Sequence, residues 1–181
     1  MAGILKVDKY QDFNGNDIMT SDGSGNITIN NSALKNTPAF FAYPSSSQTA
    51  THNTSVKILF QTESYDTNGA FADSKFTVPS GQAGKYYIYA SVYGEAAANG
   101  TLESNKIMIY INGTQSFYNS NDFRTNQIRS FASTVSSSFD LSVGDYVEIY
   151  NYFYSSALAN GSYGSGNQSG TYFGGYKLIG A

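Results

Sequence analysis

Hydrophobic and polar residues alternate with a period of two along much of this chain, the pattern of β-strands with one face on a core. The alternation is clearest over residues 85–93. Tyr86, Ile88, Ala90 and Val92 fall on one face, and Tyr87, Tyr89, Ser91 and Tyr93 on the other. The second face is aromatic where a solvated face would be charged, which predicts a strand buried on both sides or placed at a subunit contact. Upstream, residues 71–78 read as a strand stopped by Pro79, which cannot donate to a β-ladder. Residues 38–43 (PAFFAY) and 56–60 (VKILF) predict two earlier strands, with a polar loop over 45–55.

Downstream, residues 106–111 (KIMIYI) predict a strand closed by the turn Asn112-Gly113, with 115–118 as its hairpin return. Residues 128–141 set Phe131, Val135 and Phe139 among Ser and Thr. A turn at Val143-Gly144-Asp145 precedes the aromatic strand 146–154 (YVEIYNYFY), and 171–179 (TYFGGYKLI) is the last strand. Gly174-Gly175 predicts a bulge or the close approach of a neighbouring backbone. Loops are expected at 95–103, 118–125 and 157–170. About eight to ten strands, no amphipathic helix and regular turn signals predict an all-β fold, an antiparallel sandwich with the strand count of a jelly roll.

Residues 1–37 read differently. Two turns, Asn14-Gly15 and 21–25, separate short apolar stretches, and Asp12-x-x-Gly15-Asn16 recurs ten residues later as Asp22-x-x-Gly25-Asn26. The expectation is an extended β arm, 1–37, leading into a head, 38–181. Such a meander cannot bury enough apolar surface to offset a chain entropy of roughly 1–2 kcal/mol per residue. It is therefore either a partly disordered tail or a segment ordered by docking. Ile4, Leu5, Val7, Tyr10, Phe13, Ile18 and Met19 favour docking, since a solvated tail has no use for them.

Composition sharpens this picture. Sixteen Tyr, twelve Phe and eighteen Gly in 181 residues suit pleated sheets and turns. Charged residues are only 13%, about half the usual ~25%, as at surfaces that meet other protein. The net charge of −3 and the lack of a basic cluster argue against nucleic-acid binding. No apolar run is as long as the ~20 residues of a membrane-spanning helix. Residues 1–8 lack the basic and apolar regions of a signal peptide, so a place on an extracellular surface is expected to be reached as part of an assembly. With no cysteine there is no disulfide framework, thiol nucleophile or cysteine-held zinc.

The candidate chemistry is sparse, and no enzyme activity or cofactor is expected. His52, the only histidine, sits in a Thr/Ser/Asn loop without a Gly-x-Ser-x-Gly motif. The acidic residues cluster in turns, where Asp caps its own backbone. Asp12, Asp17 and Asp22 lack the spacing of a calcium-binding EF-hand loop, and turn capping is their expected role. The expected loops offer Tyr118, Asn119, Asn121, Phe123, Arg124 and Tyr163, aromatic and polar groups of the kind that grip saccharides. A receptor- or carbohydrate-binding tip acting on host surface glycans is the competing reading.

Four motifs in order resemble the globular head of the complement C-one-q family, which shares a trimeric jelly roll with tumour necrosis factor. They are Pro38-Ala39-Phe40; Phe71, Phe76 and Pro79 followed by Gly84, Tyr86 and Tyr87; Leu141, Gly144-Asp145 and Val147; and Phe173-Gly174-Gly175-Tyr176 with Leu178. The resemblance covers 38–179. No collagen-like stem is present. The arm instead resembles N-terminal segments of bacteriophage virion and tail-fibre proteins, especially from marine phages, through Val7 to Ile18 and Ser21 to Gly25.

Together these resemblances imply a homotrimeric component of the exposed virion surface, a fibre part or a capsid decoration, whose partners are itself and other virion proteins. Tyr87, Tyr89, Tyr93, Tyr150, Tyr152, Tyr154 and Tyr176 are the candidate trimer contacts. Packing within the core is the competing use of the same residues.

Overall fold

The computed structural model describes residues 7–30, 35–164 and 170–179. Three short strands, β1 (Lys9–Gln11), β2 (Asp17–Ser21) and β3 (Ile27–Ile29), form an antiparallel meander. Thirteen more follow: β4 (Ala39–Tyr43), β5 (Gln48–Ala50), β6 (Thr54–Lys57), β7 (Thr62–Asp66), β8 (Phe71–Ala72), β9 (Lys75–Thr77), β10 (Gly84–Glu95), β11 (Leu102–Ile111), β12 (Thr114–Asp122), β13 (Ser130–Leu141), β14 (Tyr146–Ser155), β15 (Gly161–Tyr163) and β16 (Tyr172–Lys177). There is no helix among the described residues.

These strands make an all-β, antiparallel jelly-roll sandwich. One sheet runs β13-β10-β16-β4-β7, with β15 and β5 continuing it beside the far end of β10. The other runs β12-β11-β14-β9-β8. The chain passes repeatedly between sheets, from β9 to β10, β10 to β11, β12 to β13 and β13 to β14, and each crossing closes the core from another side.

Alternation decides which side chains meet inside. From β10 these are Tyr86, Ile88, Ala90 and Val92, as the sequence predicts, joined in the same sheet by Phe173 of β16; Ile107 and Ile109 of β11 and Val147, Ile149 and Phe153 of β14 face them from the other sheet. Phe40 lies at the centre, 1% exposed. It stacks on Phe71 and Phe76 at 5.0 and 4.8 Å and meets Phe173 edge-on at 4.8 Å.

Polar groups close the side where β12 and β13 form neighbouring free edges. Asn105 and Asn121 both donate to the Ser133 hydroxyl at 2.8 Å, and Asn119 donates to the Thr134 carbonyl. These bonds cross from one sheet to the other. Asn151 differs: it is buried, yet neither of its amide atoms has a partner among the described residues, at a cost of about 1–3 kcal/mol.

Four expectations change. Residues 118–125 are mainly strand rather than loop, because β12 pairs along β11 up to Asp122. Residues 71–78 are a tight hairpin, turned at Asp73 and Ser74, both with positive φ. Residues 56–60 are not one strand: β6 ends at Lys57, and the Ile58 N–H then donates to the Ile149 carbonyl. The expected loops 45–55 and 157–170 contain β5 and β15, which pair with each other.

Gly174 and Gly175 mark no bulge. A Cβ on Gly174 would lie 2.5 Å from the Tyr89 ring, and one on Gly175 would lie 2.7 Å from Ile88. The first glycine makes room on the outer face of the sheet and the second in the core.

Candidate functional site: two aromatic outer faces

Residues that alternate with the core of β10 point out of its sheet. Tyr87 lies opposite Tyr176, and Tyr89 opposite Gly174, whose other neighbour is Phe41 of β4. With no side chain at Gly174, the Tyr89 ring spreads toward Phe41, at 6.5 Å between centroids. Tyr172 packs on Phe41 at 5.6 Å, Tyr65 on Phe41 at 6.2 Å, and Tyr87 on both Tyr89 and Tyr176 at 5.9 and 5.7 Å. On the β13 side the opposing residues are Thr134, Ser136 and Ser138. The middle of this face therefore carries six aromatic rings, a hydroxyl border and no charge.

Burial pushes the Tyr89 hydroxyl well above its ordinary pKa, and the adjoining Tyr65 adds to the shift. Tyr93 lies farther along the same face, where its hydroxyl donates to Glu95. That carboxylate, more than burial, pushes the Tyr93 hydroxyl up.

Tyr150, Tyr152 and Tyr154 of β14 lie on the outer face of the opposite sheet. The seven candidate contact tyrosines thus divide into two groups facing away from each other. The β14 group is engaged within its own chain. Tyr150 packs on Tyr110 at 4.3 Å, the Tyr152 hydroxyl donates to Asn53 at 2.7 Å, and Tyr154 lies against His52 at 4.8 Å. His52 Nδ1 accepts the Ser155 N–H at 3.3 Å. Phe41, Tyr65 and Tyr172 were absent from the sequence-based set. Strict alternation from the core residues Phe40 and Phe173 would have found Phe41 and Tyr172.

The candidate ligand residues also separate. Tyr163 is 1% exposed and packs on Phe153, so it belongs to the core and not to a binding loop. Phe123 packs against the core margin, and Asn119 is tied to β13. Tyr118 is exposed on β12, with Lys106 Nζ 5.3 Å from its ring centre. Asn121 and Arg124 do come together. They border a groove of about 590 Å³ on the outer face of β12, β11 and β14, whose floor includes Tyr152 and Tyr154.

In the arm, the ten-residue echo is a repeated turn. Asp12 Oδ1 accepts the N–H groups of Asn14 and Asn16, and its Oδ2 accepts the Asn16 side-chain amide. Asp22 does the same with Ser24 and Asn26. Asp17 instead accepts from Lys9 and Gln11. The meander's strands pair only with each other among the described residues. Across them, Tyr10, Met19 and Ile29 form one row, all on one face with Ile27. Tyr10 and Ile27 are 56% and 64% exposed, and Val7 and Phe13 are exposed as well. Ile18 points to the other face, and Ile4 and Leu5 lie outside the described residues.

Hydrogen bonds from Asn16 and Asn26 hold the Asp12 and Asp22 carboxyls below the ordinary carboxylate pKa. A depressed folded-state pKa gives stabilisation that is complete above the unfolded value and fades as the pH falls through the folded one. The amide resonances of Asn16 and Asn26 are therefore expected to shift toward unfolded positions as the pH drops below about 4. Pairs of two-dimensional NMR spectra check this, with head amides as the internal reference.

No protein-family profile matches the sequence, and no curated protein does. Solved structures do match. The globular domain of zebrafish complement 1qA protein aligns with a TM-score of 0.56 at 16% identity, covering 78% of this chain and 97% of that one. Murine APRIL, of the tumour-necrosis-factor family, aligns with a TM-score of 0.56 at 13% identity, covering 77% of this chain and 98% of its own. The fold is the C-one-q and tumour-necrosis-factor jelly roll. At these identities the likeness establishes architecture, and what the molecule does rests on its own surfaces.

Proposed function

We propose that this chain is a non-enzymatic structural protein of a bacteriophage virion. It acts as a homotrimer whose jelly-roll heads project from the particle, and residues 1–37 attach it to capsid, tail or fibre proteins. The carrying observation is the charge-free aromatic face of Tyr87, Tyr89, Tyr172, Tyr176, Phe41 and Tyr65. A contact burying on the order of 1,000 Å² there, roughly 60% of it apolar, would contribute about 15 kcal/mol of apolar burial, before the entropic cost of association.

A threefold contact is heterologous, so this face needs a different surface to meet. The free edge strand β12, with exposed Phe117 and Tyr118, supplies one. The split among the candidate tyrosines favours Tyr87, Tyr89 and Tyr176 for the threefold contact and leaves the β14 group on the outside.

The arm supports the virion part of the reading through its resemblance to phage N-terminal segments and through its geometry. A three-stranded meander with an uncovered apolar row lacks the core it needs to stand alone. Sister arms or a particle protein would supply that cover. The carboxylates engaged in turns and the packing role of His52 support a non-enzymatic molecule.

Labelling intact particles with an antibody against the head tests the proposal. Label at repeated, fixed sites on the particle surface is expected, with loss of incorporation when residues 1–37 are deleted. Purified particles that contain none of the protein overturn it.

A further inference from the structure

We infer that the groove over β12, β11 and β14 is a binding site for a neutral saccharide. Its floor is made by Tyr152 and Tyr154, which alternate outward along β14 and so stand about 7 Å apart. Both rings are held in place, one by its hydroxyl on Asn53 and the other by packing on His52. A platform fixed before binding avoids the ordering cost that a flexible aromatic would carry.

The walls have the complementary chemistry. Glu103, Asp122, Arg124 and Lys106 all border the groove, two of each sign. Asp122 and Arg124 form an ion pair, with Arg124 Nε 2.9 Å from Asp122 Oδ1, and Glu103 accepts from Gln127 at 2.8 Å. Sugar hydroxyls donate and accept at once, so paired donors and acceptors above a flat aromatic floor suit vicinal hydroxyls better than an isolated charge would. The balance of charge selects against a polyanion. The apolar faces of a pyranose ring match the phenol rings below.

This site takes Asn121 and Arg124 from the candidates that composition singles out, but its floor lies on a strand face and not in a loop. It is also on the sheet opposite the aromatic face assigned above to the trimer contact. Of its strands only β12 also carries residues assigned above to the threefold contact, Phe117 and Tyr118, and neither of these lines the groove. The inference stands on the groove itself and does not depend on where the protein is mounted.

Affinity electrophoresis of the full-length protein in gels containing dextran, mannan or galactan tests it, with the polyuronate alginate as comparator. At least one neutral polysaccharide is expected to retard the protein, with little change on adding salt, since no counterion-coupled attraction is involved. Tyr154→Ala is expected to weaken that retardation about tenfold. Lys106→Ala, which removes a wall donor and leaves the floor, is expected to weaken it to a smaller extent. Sedimentation of each variant reports whether assembly is intact, which separates loss of the site from loss of the trimer.

Three results overturn the inference. One is no retardation of the wild type in any neutral gel. Another is retardation by alginate alone. The third is retardation unchanged in both variants.

Discussion

Tyr89→Glu is expected to turn the proposed homotrimer into folded monomers. The side chain points out of the β10 sheet into the charge-free aromatic face, beside Phe41, Tyr172 and Tyr87 at 6.5, 6.3 and 5.9 Å. Nothing there can pair a carboxylate. Glu95 stands near one end of the strand pair and Lys85, opposite Asp140, near the other, about 13 Å along β10 from Tyr89, and hydroxyl residues lie between them. An unpaired charge buried in a contact costs about 3–5 kcal/mol, or a factor of a few hundred to a few thousand in association. In a threefold assembly the charge would occur in every interface.

The interior of the chain does not use Tyr89, so the far-ultraviolet dichroism of the variant should match that of the parent. Tyr152→Glu is the matched control. It puts the same charge on the opposite sheet and should leave the mass unchanged. Analytical ultracentrifugation of both variants makes the comparison. A Tyr89→Glu protein that keeps the parental mass would remove this face from the assembly.

Phe40→Ala is expected to cost the head roughly 3–5 kcal/mol. Three aromatic partners lose contact at once: Phe71, Phe76 and Phe173, all at 4.8 to 5.0 Å. These partners come from both sheets, and their backbones are fixed by ladders, so the cavity cannot readily collapse. For a domain of this size about 1 kcal/mol moves the melting temperature by 2–4 °C, so a drop near 10 °C or more is expected. The neighbouring Phe41→Ala offers a sharp contrast. One residue along the strand, its ring lies on the outer face, and its loss should weaken association while leaving the monomer's own core intact. Calorimetry at several protein concentrations separates the two, because a transition coupled to trimer dissociation rises with concentration, as expected for Phe40→Ala, whereas that of a dissociated Phe41→Ala monomer does not.

That contrast also shows what was legible in the sequence. The period of two separated Tyr86, Ile88, Ala90 and Val92, which line the core, from Tyr87 and Tyr89 on the opposite face, though not whether that second face was buried in the chain or at a contact. The order of strands around the turns was enough to expect an antiparallel jelly roll. Periodicity does not say which sheet a strand joins, and for that reason Tyr87 and Tyr152 looked equivalent although they face opposite ways.

Polar composition hid other elements. β12 is built from Ser, Asn, Asp and Gln around two aromatics, and only pairing with β11 makes it a strand. Tyr163 sits in a glycine-rich stretch that reads as loop, but β15 pairs with β5 and β10 and carries its ring into the core. In each case long-range pairing overrode local propensity. The turns of the arm were legible for the opposite reason. Their chemistry is local, one Asp bonding to residues two and four positions ahead.

The mass of the full-length protein in dilute solution, by sedimentation equilibrium or light scattering, tests the central claim most directly. Three times the chain mass of 19.5 kDa is expected, persisting on dilution. A stable, well-folded species of 19.5 kDa would contradict it.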